Sequence, residues 1–224
     1  MNTVNIYLNE NAPVQSDQNA IFVKRISKHN TNYGYFLLKR FFDVLISFLC
    51  IAVLLIPGII ISLIITLDSP GPAIYKQERL GYNGKRFTLY KFRSMRNDAE
   101  IEGAKWAEAN DCRCTKIGGF LRASRIDELP QLFNILKGDM SIIGPRPERP
   151  FFYDKFSEYI DGFEQRLSVT PGLTGLAQIN GGYDLKPEEK IVYDIEYIEN
   201  QSFILDLKIF FKTIFIVFTR KGAR

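Results

Sequence analysis

The chain has little of what most enzymes use for proton transfer and for soft-metal binding. Among 224 residues there is one histidine, His29, and it lies in a polar N-terminal region. Serine–histidine and cysteine–histidine nucleophiles and multi-histidine metal sites are therefore disfavoured. The three cysteines, Cys50, Cys112 and Cys114, form no disulfide framework: one sits in an apolar stretch and two in a C-x-C. A reducing compartment follows. Net charge is low as well, with 29 Lys plus Arg against 25 Asp plus Glu, or +4. That balance is too weak to point to nucleic acid, but it suits anionic lipid or phosphorylated substrates. No internal repeat is present, and no signal-peptide cleavage pattern follows the one long apolar run. The glycine-rich stretch "TPGLTGLAQING" lacks the spacing of a P-loop or a dinucleotide fingerprint. Carboxylates, lysines, arginines and a hard metal ion remain as the available chemistry.

The length fits one domain with an appendage. Residues 1 to about 31 are rich in Asn and Gln without a sustained period, which predicts a mobile tail or loosely attached strand. The apolar run is "FFDVLISFLCIAVLLIPGIIISLIITL", Phe41 to Leu67, with Asp43 its single charge. About 20 apolar residues suffice to cross a hydrocarbon core of roughly 30 Å. Pro57-Gly58 interrupts the run near its middle, where proline removes a backbone hydrogen bond and glycine loosens the helix. Basic residues flank both ends: Lys24, Arg25, Lys28, Lys39 and Arg40 before it, Lys76, Arg79, Lys85 and Arg86 after it. The positive-inside rule expects asymmetry for a spanning helix. A kinked single span and a helix that bends at Pro57 and leaves by the face it entered both fit the residues.

Beyond a break at "DSPGP", the stretch "AIYKQERLGYNGKRFTLYKFRSM" predicts a β-hairpin turning at Asn83-Gly84. Lys91 and Arg93 fall on one face of its second strand, Tyr90 and Phe92 on the other. Arg96 to Trp106 predicts a polar helix or loop carrying Asp98, Glu100 and Glu102. In "RIDELPQLFNILKG", Leu129, Leu132, Phe133 and Leu136 recur at helical spacing, with Pro130 suited to a first turn. A helix starting near Glu128 would leave Asp127 and Glu128 against free N–H groups and the positive end of its dipole, which keeps both acids ionised. Acids are common at helix starts, so solvated surface charges are the competing reading. "MSIIGPRPERP" predicts a short strand and a stiff loop in which Pro145 and Pro147 aim Arg146, as phosphate recognition prefers. Arg149 closes the same loop and is a further candidate for substrate binding. "EEKIVYDIEYIEN" predicts a helix with Asp194 on its polar side. The C-terminal "SFILDLKIFFKTIFIVFTRKGAR" fits an interfacial helix with snorkelling cations, or an ordinary amphipathic core helix.

Taken together, "KRFFD", "YKFRSM", "RIDELPQLFNILKGDMSIIGPRP", "PGLTGLAQING" and "LDLKIFFKT" resemble the bacterial sugar transferases, the small monotopic polyprenol-phosphate phosphoglycosyl transferases. The resemblance runs from about Leu38 to the C-terminus with its motifs in order. It implies an α/β, mainly helical monotopic membrane protein in three parts: a polar tail at 1–34, a re-entrant membrane helix at 35–70, and a catalytic domain at 71–224 ending in an interfacial helix. It implies transfer of a sugar-1-phosphate from a UDP-sugar to undecaprenyl phosphate with release of UMP, as the initiating step of surface glycan synthesis. In that family the first acid is a covalent nucleophile and the second binds Mg²⁺, with Mn²⁺ as a substitute; those roles fall on Asp127 and Glu128. The family's phosphate contacts match Lys91, Arg122 and Arg146, its later functional aspartate matches Asp194, and its membrane bend matches Pro57. Close relatives often carry Ser-Pro at the bend, whereas Ile56 precedes Pro57 here. The implied setting is the bacterial cytoplasmic membrane with the catalytic body on the cytoplasmic face, membrane lipids as surroundings and no nucleic acid. A homodimer, glycan-assembly partners and the identity of the sugar stay open. The rival from another class is a non-catalytic membrane adaptor of a polysaccharide assembly complex.

Overall fold

A computed structural model describes residues 21–30, 32–101, 103 and 111–219. Most of the expected N-terminal tail, and Glu102 and Trp106 of the expected polar segment, lie outside the described residues. The protein is mainly helical. Its helices are α1 (Tyr33–Asp68), α2 (Lys116–Ala123), α3 (Gln131–Lys137), α4 (Pro150–Ser157), α5 (Leu176–Asn180), α6 (Pro187–Glu199) and α7 (Phe203–Thr219). Its strands pair two by two. The strands β2 (Ile74–Leu80) and β3 (Arg86–Phe92) form the antiparallel hairpin. Short parallel ladders join β1 (Ile21–Phe22) to β5 (Ile160–Asp161), and β4 (Ser141–Ile143) to β6 (Gly172–Thr174). The hairpin turn falls where Asn83-Gly84 predicts it, with φ of 53° and 74°. Asparagine and glycine tolerate that left-handed backbone; bulkier residues do not.

Helix α1 is one unbroken helix of 36 residues, about 54 Å at 1.5 Å per residue. Most of its apolar side chains lie on the surface, Val53 and Leu67 at 75% and 79% exposure among them. Yet the helix is fastened to the body at both ends. Near its start, Tyr35 Oη and Lys39 Nζ donate to Asp206 Oδ2 at 2.9 and 2.8 Å. Arg40 donates to the Ile135 and Leu136 carbonyls at the end of α3, and Asp43 accepts from the Ile142 N–H of β4 at 2.9 Å. Near its other end, Ile61 and Ile65 pack with Phe92 and Leu121. There Arg93 donates to the carbonyls of Ile65, Ser69 and Pro70. The Ile65 carbonyl also accepts the Ser69 N–H, and Ser69 and Pro70 lie just past the helix; a cation suits that end of the dipole. Lys39, Arg40 and Arg79 are thus held by the fold, Arg79 by Glu148. Their presence on both flanks of the apolar run has a structural cause apart from membrane orientation. Pro57 lies within the helix, and one turn on the Ser62 hydroxyl donates to the Gly58 carbonyl at 2.8 Å. The carbonyl that Pro57 leaves without its N–H partner is that of Val53, so the Ser62 bond does not replace it; such back-bonding favours bending all the same, although α1 runs unbroken through Pro57.

The main core gathers Phe87 and Leu89 of β3, Leu132 and Ile135 of α3, Met140, Ile142 and Ile143 around β4, Tyr197 and Ile198 of α6 and Ile209 of α7. The expected inner face of α3 is rotated. Gln131, Leu132, Asn134 and Ile135 are buried, while Phe133 is half exposed. The cause is Asn134, whose amide is pulled inward to bond the Tyr90 N–H and Thr88 C=O of β3. In helix α7, Ile209 is fully buried in the core, while Ile204, Phe211 and Phe215 present an exposed apolar face.

Candidate active site

The acid pair does not sit at the mouth of an α-helix. Asp127 and Glu128 lie in a single 3₁₀ turn, Ile126–Glu128, and α3 starts at Gln131 after Pro130. The chain enters that turn through Arg125, whose φ of 57° is left-handed and strained for a residue with a side chain. That reversal turns the chain from α2 inward, so that both acids are buried at 7% exposure. Burial pushes the Asp127 carboxyl up, to about 6, against the pull of Lys91 and with the adjacent Glu128 charge adding to the rise. Burial also opposes ionisation of Glu128. There the charges of Arg146 and Lys91, with the Arg146 hydrogen bonds, outweigh it and hold the acid at about 2. The two neighbours therefore differ in character, which the expectation of a uniformly favourable helix start did not provide for.

Arg146 grips Glu128 with both terminal nitrogens, at 2.8 and 3.3 Å. The proline-framed loop thus aims this guanidinium first at an acid of the pair. Arg166 donates to the Arg146 carbonyl at 2.8 Å and, through Nε, to Asp194 at 2.6 Å. Asp194 was expected on the polar side of its helix, but it is 1% exposed and paired with an equally buried arginine. Two ion pairs, Arg166 with Asp194 of α6 and Arg146 with Glu128, are thus joined by a hydrogen bond to the Arg146 backbone. Removing one member of a buried pair strands its partner, a loss of roughly 3–5 kcal/mol. No local pattern in "FEQRLS" marks Arg166 as part of this linkage.

Asp127 opens on a cavity of about 310 Å³. Lys91, Arg122, Arg146, Arg149 and Asp194 line it too, so with Asp127 one space brings together six of the candidates the sequence singles out; Arg125 joins them, and Glu128 is not among the lining residues. Arg122 donates to Cys114 Sγ at 3.2 Å, and Arg149 pairs with Glu100 at 2.8 Å. Tyr75, Gln77, Phe152, Gln178 and Lys190 complete parts of the wall; Gln178 lies within the PGLTGLAQING motif, and none of the five was singled out as a site residue. Pro57 lies apart. Its neighbour Gly58 borders a second space of about 450 Å³, an apolar groove between α1, the hairpin and α3. Leu129 and Pro130, which directly follow the acid pair, line that groove. Phe92 lines both spaces, and Lys137 stands at the groove with its ammonium 3.3 Å from Tyr90 Oη.

A metal can be held here only with help from a substrate. Among the described residues no three Asp, Glu, His or Cys side chains converge. Two adjacent carboxylates, one firmly ionised, are nonetheless the oxygen donors that Mg²⁺ takes alongside substrate phosphates and water. The donor chemistry suits that ion; Asp127 lines the cavity, whereas Glu128 does not and both its oxygens are held by Arg146.

A cation-lined cavity at Asp127 and a long apolar helix, most of its apolar side chains exposed, suggest a membrane-associated protein. The family model for bacterial sugar transferases matches residues 34–220, and the chain belongs to that family. A Bacillus subtilis (strain 168) protein provisionally named undecaprenyl-phosphate N-acetylgalactosaminyl 1-phosphate transferase is 56% identical over 133 residues, 59% of this chain and 74% of that protein. The UDP-N-acetylgalactosamine-undecaprenyl-phosphate N-acetylgalactosaminephosphotransferase of Aeromonas hydrophila is 43% identical over 85% of this chain and 46% of its own length. The UDP-glucose:undecaprenyl-phosphate glucose-1-phosphate transferase of Escherichia coli (strain K12) is 42% identical over 84% of this chain and 41% of its own length. The chain thus spans under half the length of the last two.

Proposed function

We propose that this protein transfers a sugar-1-phosphate from a UDP-sugar to undecaprenyl phosphate, as the membrane-committed first step of an exopolysaccharide, capsule or other surface glycan. The observation that carries this reading is the burial of Asp127 in a cation-lined cavity that abuts an apolar groove floored by the membrane helix. The names of the relatives agree with it. An ionised Asp127 oxygen attacks the phosphorus that bears the sugar. The bond from that phosphorus to the bridging oxygen breaks, and UMP leaves with the bonding electrons. The resulting aspartyl phosphosugar is attacked by a phosphate oxygen of the polyprenyl acceptor, which releases Asp127 and yields the diphosphate-linked sugar. No proton has to be removed from the nucleophile, which suits a site without histidine. Lys91, Arg122 and Arg125 neutralise the phosphate oxygens, and Arg146 keeps Glu128 ionised and oriented; positioning and charge are what phosphoryl transfer requires. Mg²⁺, held by Glu128 and the diphosphate, would supply further charge neutralisation when bound.

The groove beside Leu129 and Pro130 gives the lipid chain of the acceptor an apolar path toward the acid pair, with Lys137 as a cation near its edge. The attachment of both ends of α1 to one body supports a re-entrant helix that enters and leaves by the same face, and the exposed apolar side of α7 supports a second, interfacial anchor. Nucleotide sugars are cytosolic, so that face is the cytoplasmic one. The test is UMP release by purified protein given undecaprenyl phosphate and a panel of UDP-sugars. Release of UDP instead would mean transfer of the sugar alone. No nucleotide release from any donor would leave the adaptor reading.

A further inference from the structure

One motif of the sequence, the C-x-C of Cys112 and Cys114, has no part in the reaction above. Both thiols are free, Cys112 exposed and Cys114 half-buried. Cys114 is nonetheless engaged. Its Sγ accepts from the Arg122 guanidinium at 3.2 Å, and among the described residues it is the hydrogen-bond acceptor of that side chain. Arg122 lines the cavity together with Asp127. A thiol sulfur, which is a weak acceptor, thus holds one of the cations assigned to the phosphates.

The backbone at the two cysteines is tied into the cavity wall. The Cys114 N–H donates to the Asp111 carbonyl at 3.0 Å and closes a tight turn with Cys112 and Arg113 at its centre. Cys114 pairs with Met95 in a β-bridge, the Thr115 N–H donates to the Ser94 carbonyl at 3.1 Å, and the Arg96 N–H donates to the Arg113 carbonyl at 2.9 Å. Ser94, Met95, Arg96 and Arg113 all line the cavity. Thr115 then caps α2, the helix that carries Arg122, its hydroxyl accepting from the Gly118 N–H at 2.9 Å. A Cβ on Gly118 would collide with the Ser94 carbonyl, so α2 lies directly against that wall. A change at this turn therefore reaches Arg122 and residues 94–96 together.

We propose that Cys112 and Cys114 form a reversible redox site, which a low-molecular-weight disulfide converts to an internal disulfide that releases Arg122 and weakens phosphate binding in the cavity. Residues two apart lie at most about 7 Å from each other in an extended chain. A turn brings them closer, into the roughly 4.4–6.8 Å between Cα atoms that a disulfide spans. The exposed Cys112 thiolate attacks one sulfur of the small disulfide, forming a mixed disulfide and expelling one thiolate. The Cys114 thiolate then attacks the Cys112 sulfur and expels the second. The pair gives up two electrons and two protons, and the small disulfide leaves as two thiols. In bonding to Cys112, Cys114 Sγ turns away from Arg122, which loses its acceptor. Exposed or strained disulfides are the easily reduced ones, which suits a transient bond in a reducing compartment. Oxidation of the pair is independent of the reaction proposed above; its effect on turnover rests on that reading.

The test treats full-length protein in detergent with excess oxidised glutathione, then quenches it in acid, unfolds it and alkylates it with N-ethylmaleimide, beside untreated protein and Cys112→Ser. Untreated wild type should take three alkyl groups, and oxidised wild type one, on Cys50. UMP release from a UDP-sugar with undecaprenyl phosphate should fall at least about 10-fold in kcat/KM on oxidation, the scale of one lost charged contact, and return with dithiothreitol. Thermal stabilisation of the protein by UDP should weaken in parallel, which reads the same contact without turnover. Cys112→Ser should keep its rate and its response to UDP after the same treatment. Three alkyl groups after oxidation, or a glutathione adduct or linked chains in place of the internal bond, would overturn the proposal. So would a disulfide that leaves both rate and UDP response unchanged, or an equal loss in Cys112→Ser. An internal disulfide with a weakened UDP response, in a protein that releases no UMP even when reduced, would support the redox site and count against the reaction alone.

Discussion

Replacing Asp127 with asparagine should make the protein more stable and inactive at once. Ionising Asp127 in the folded protein is unfavourable, because burial raises its carboxyl from 3.8 to about 6. The folded state then binds the proton more tightly than the unfolded chain does. Between about pH 3.8 and 6 the folded protein holds more protons, so its stability falls as pH rises through that window, and above 6 the whole penalty is present. At about 1.4 kcal/mol for each factor of ten in the ionisation constant, the penalty at neutral pH is at most about 3 kcal/mol. An asparagine side chain cannot ionise and escapes it. For a chain of this size the gain corresponds to roughly 6–12 °C in Tm. The gap between variant and wild type should shrink to about half at pH 5 and vanish near pH 3. Thermal unfolding in detergent at neutral pH and at these two acid values measures it, while turnover should fall by several orders of magnitude, as for other essential nucleophiles. An asparagine variant that melts no higher than wild type above about pH 7, or a gap that does not narrow on acidification, would refute the reasoning about burial.

Three further outcomes follow from the same geometry. Because Asp127 attacks as the carboxylate, kcat/KM should rise with pH along an acid limb centred near 6 and level off above it; a limb near 4 would mean an unburied nucleophile. Arg146→Lys keeps the charge but loses the two-pronged hold on Glu128, so kcat should drop by about 10²-fold with the fold retained, which circular dichroism beside initial rates will check. Exhaustive chelation should abolish activity and Mg²⁺ or Mn²⁺ should restore it, since the acid pair and the substrate diphosphate offer only oxygen ligands; full activity in excess chelator contradicts this.

The parts of this protein that the sequence declares are those that local physics dictates. Asn83-Gly84 fixes the hairpin because few residues accept two consecutive positive φ values. The apolar run declares one long apolar helix by its length alone. Pairings between distant segments leave no such mark. Asp194 lies on a polar-looking helix face yet is buried, because Arg166, 28 residues earlier, meets it in the interior. The α3 face is rotated because Asn134 satisfies the backbone of β3, a need invisible within α3 itself. The acid pair is legible as a motif, but its unequal ionisation depends on burial and on Arg146, which only the assembled loop supplies.

The central claim is that Asp127 carries the phosphosugar. Its most direct measurement is intact-protein and peptide mass spectrometry of enzyme mixed with a UDP-sugar, without acceptor, and acid-quenched within milliseconds to seconds. The account predicts a mass increase equal to one hexose or N-acetylhexosamine phosphate on the peptide containing Asp127, formed with a stoichiometric burst of UMP and discharged on adding undecaprenyl phosphate. No adduct and no UMP burst, together with initial rates that require both substrates bound at once, would contradict it and make the transfer direct.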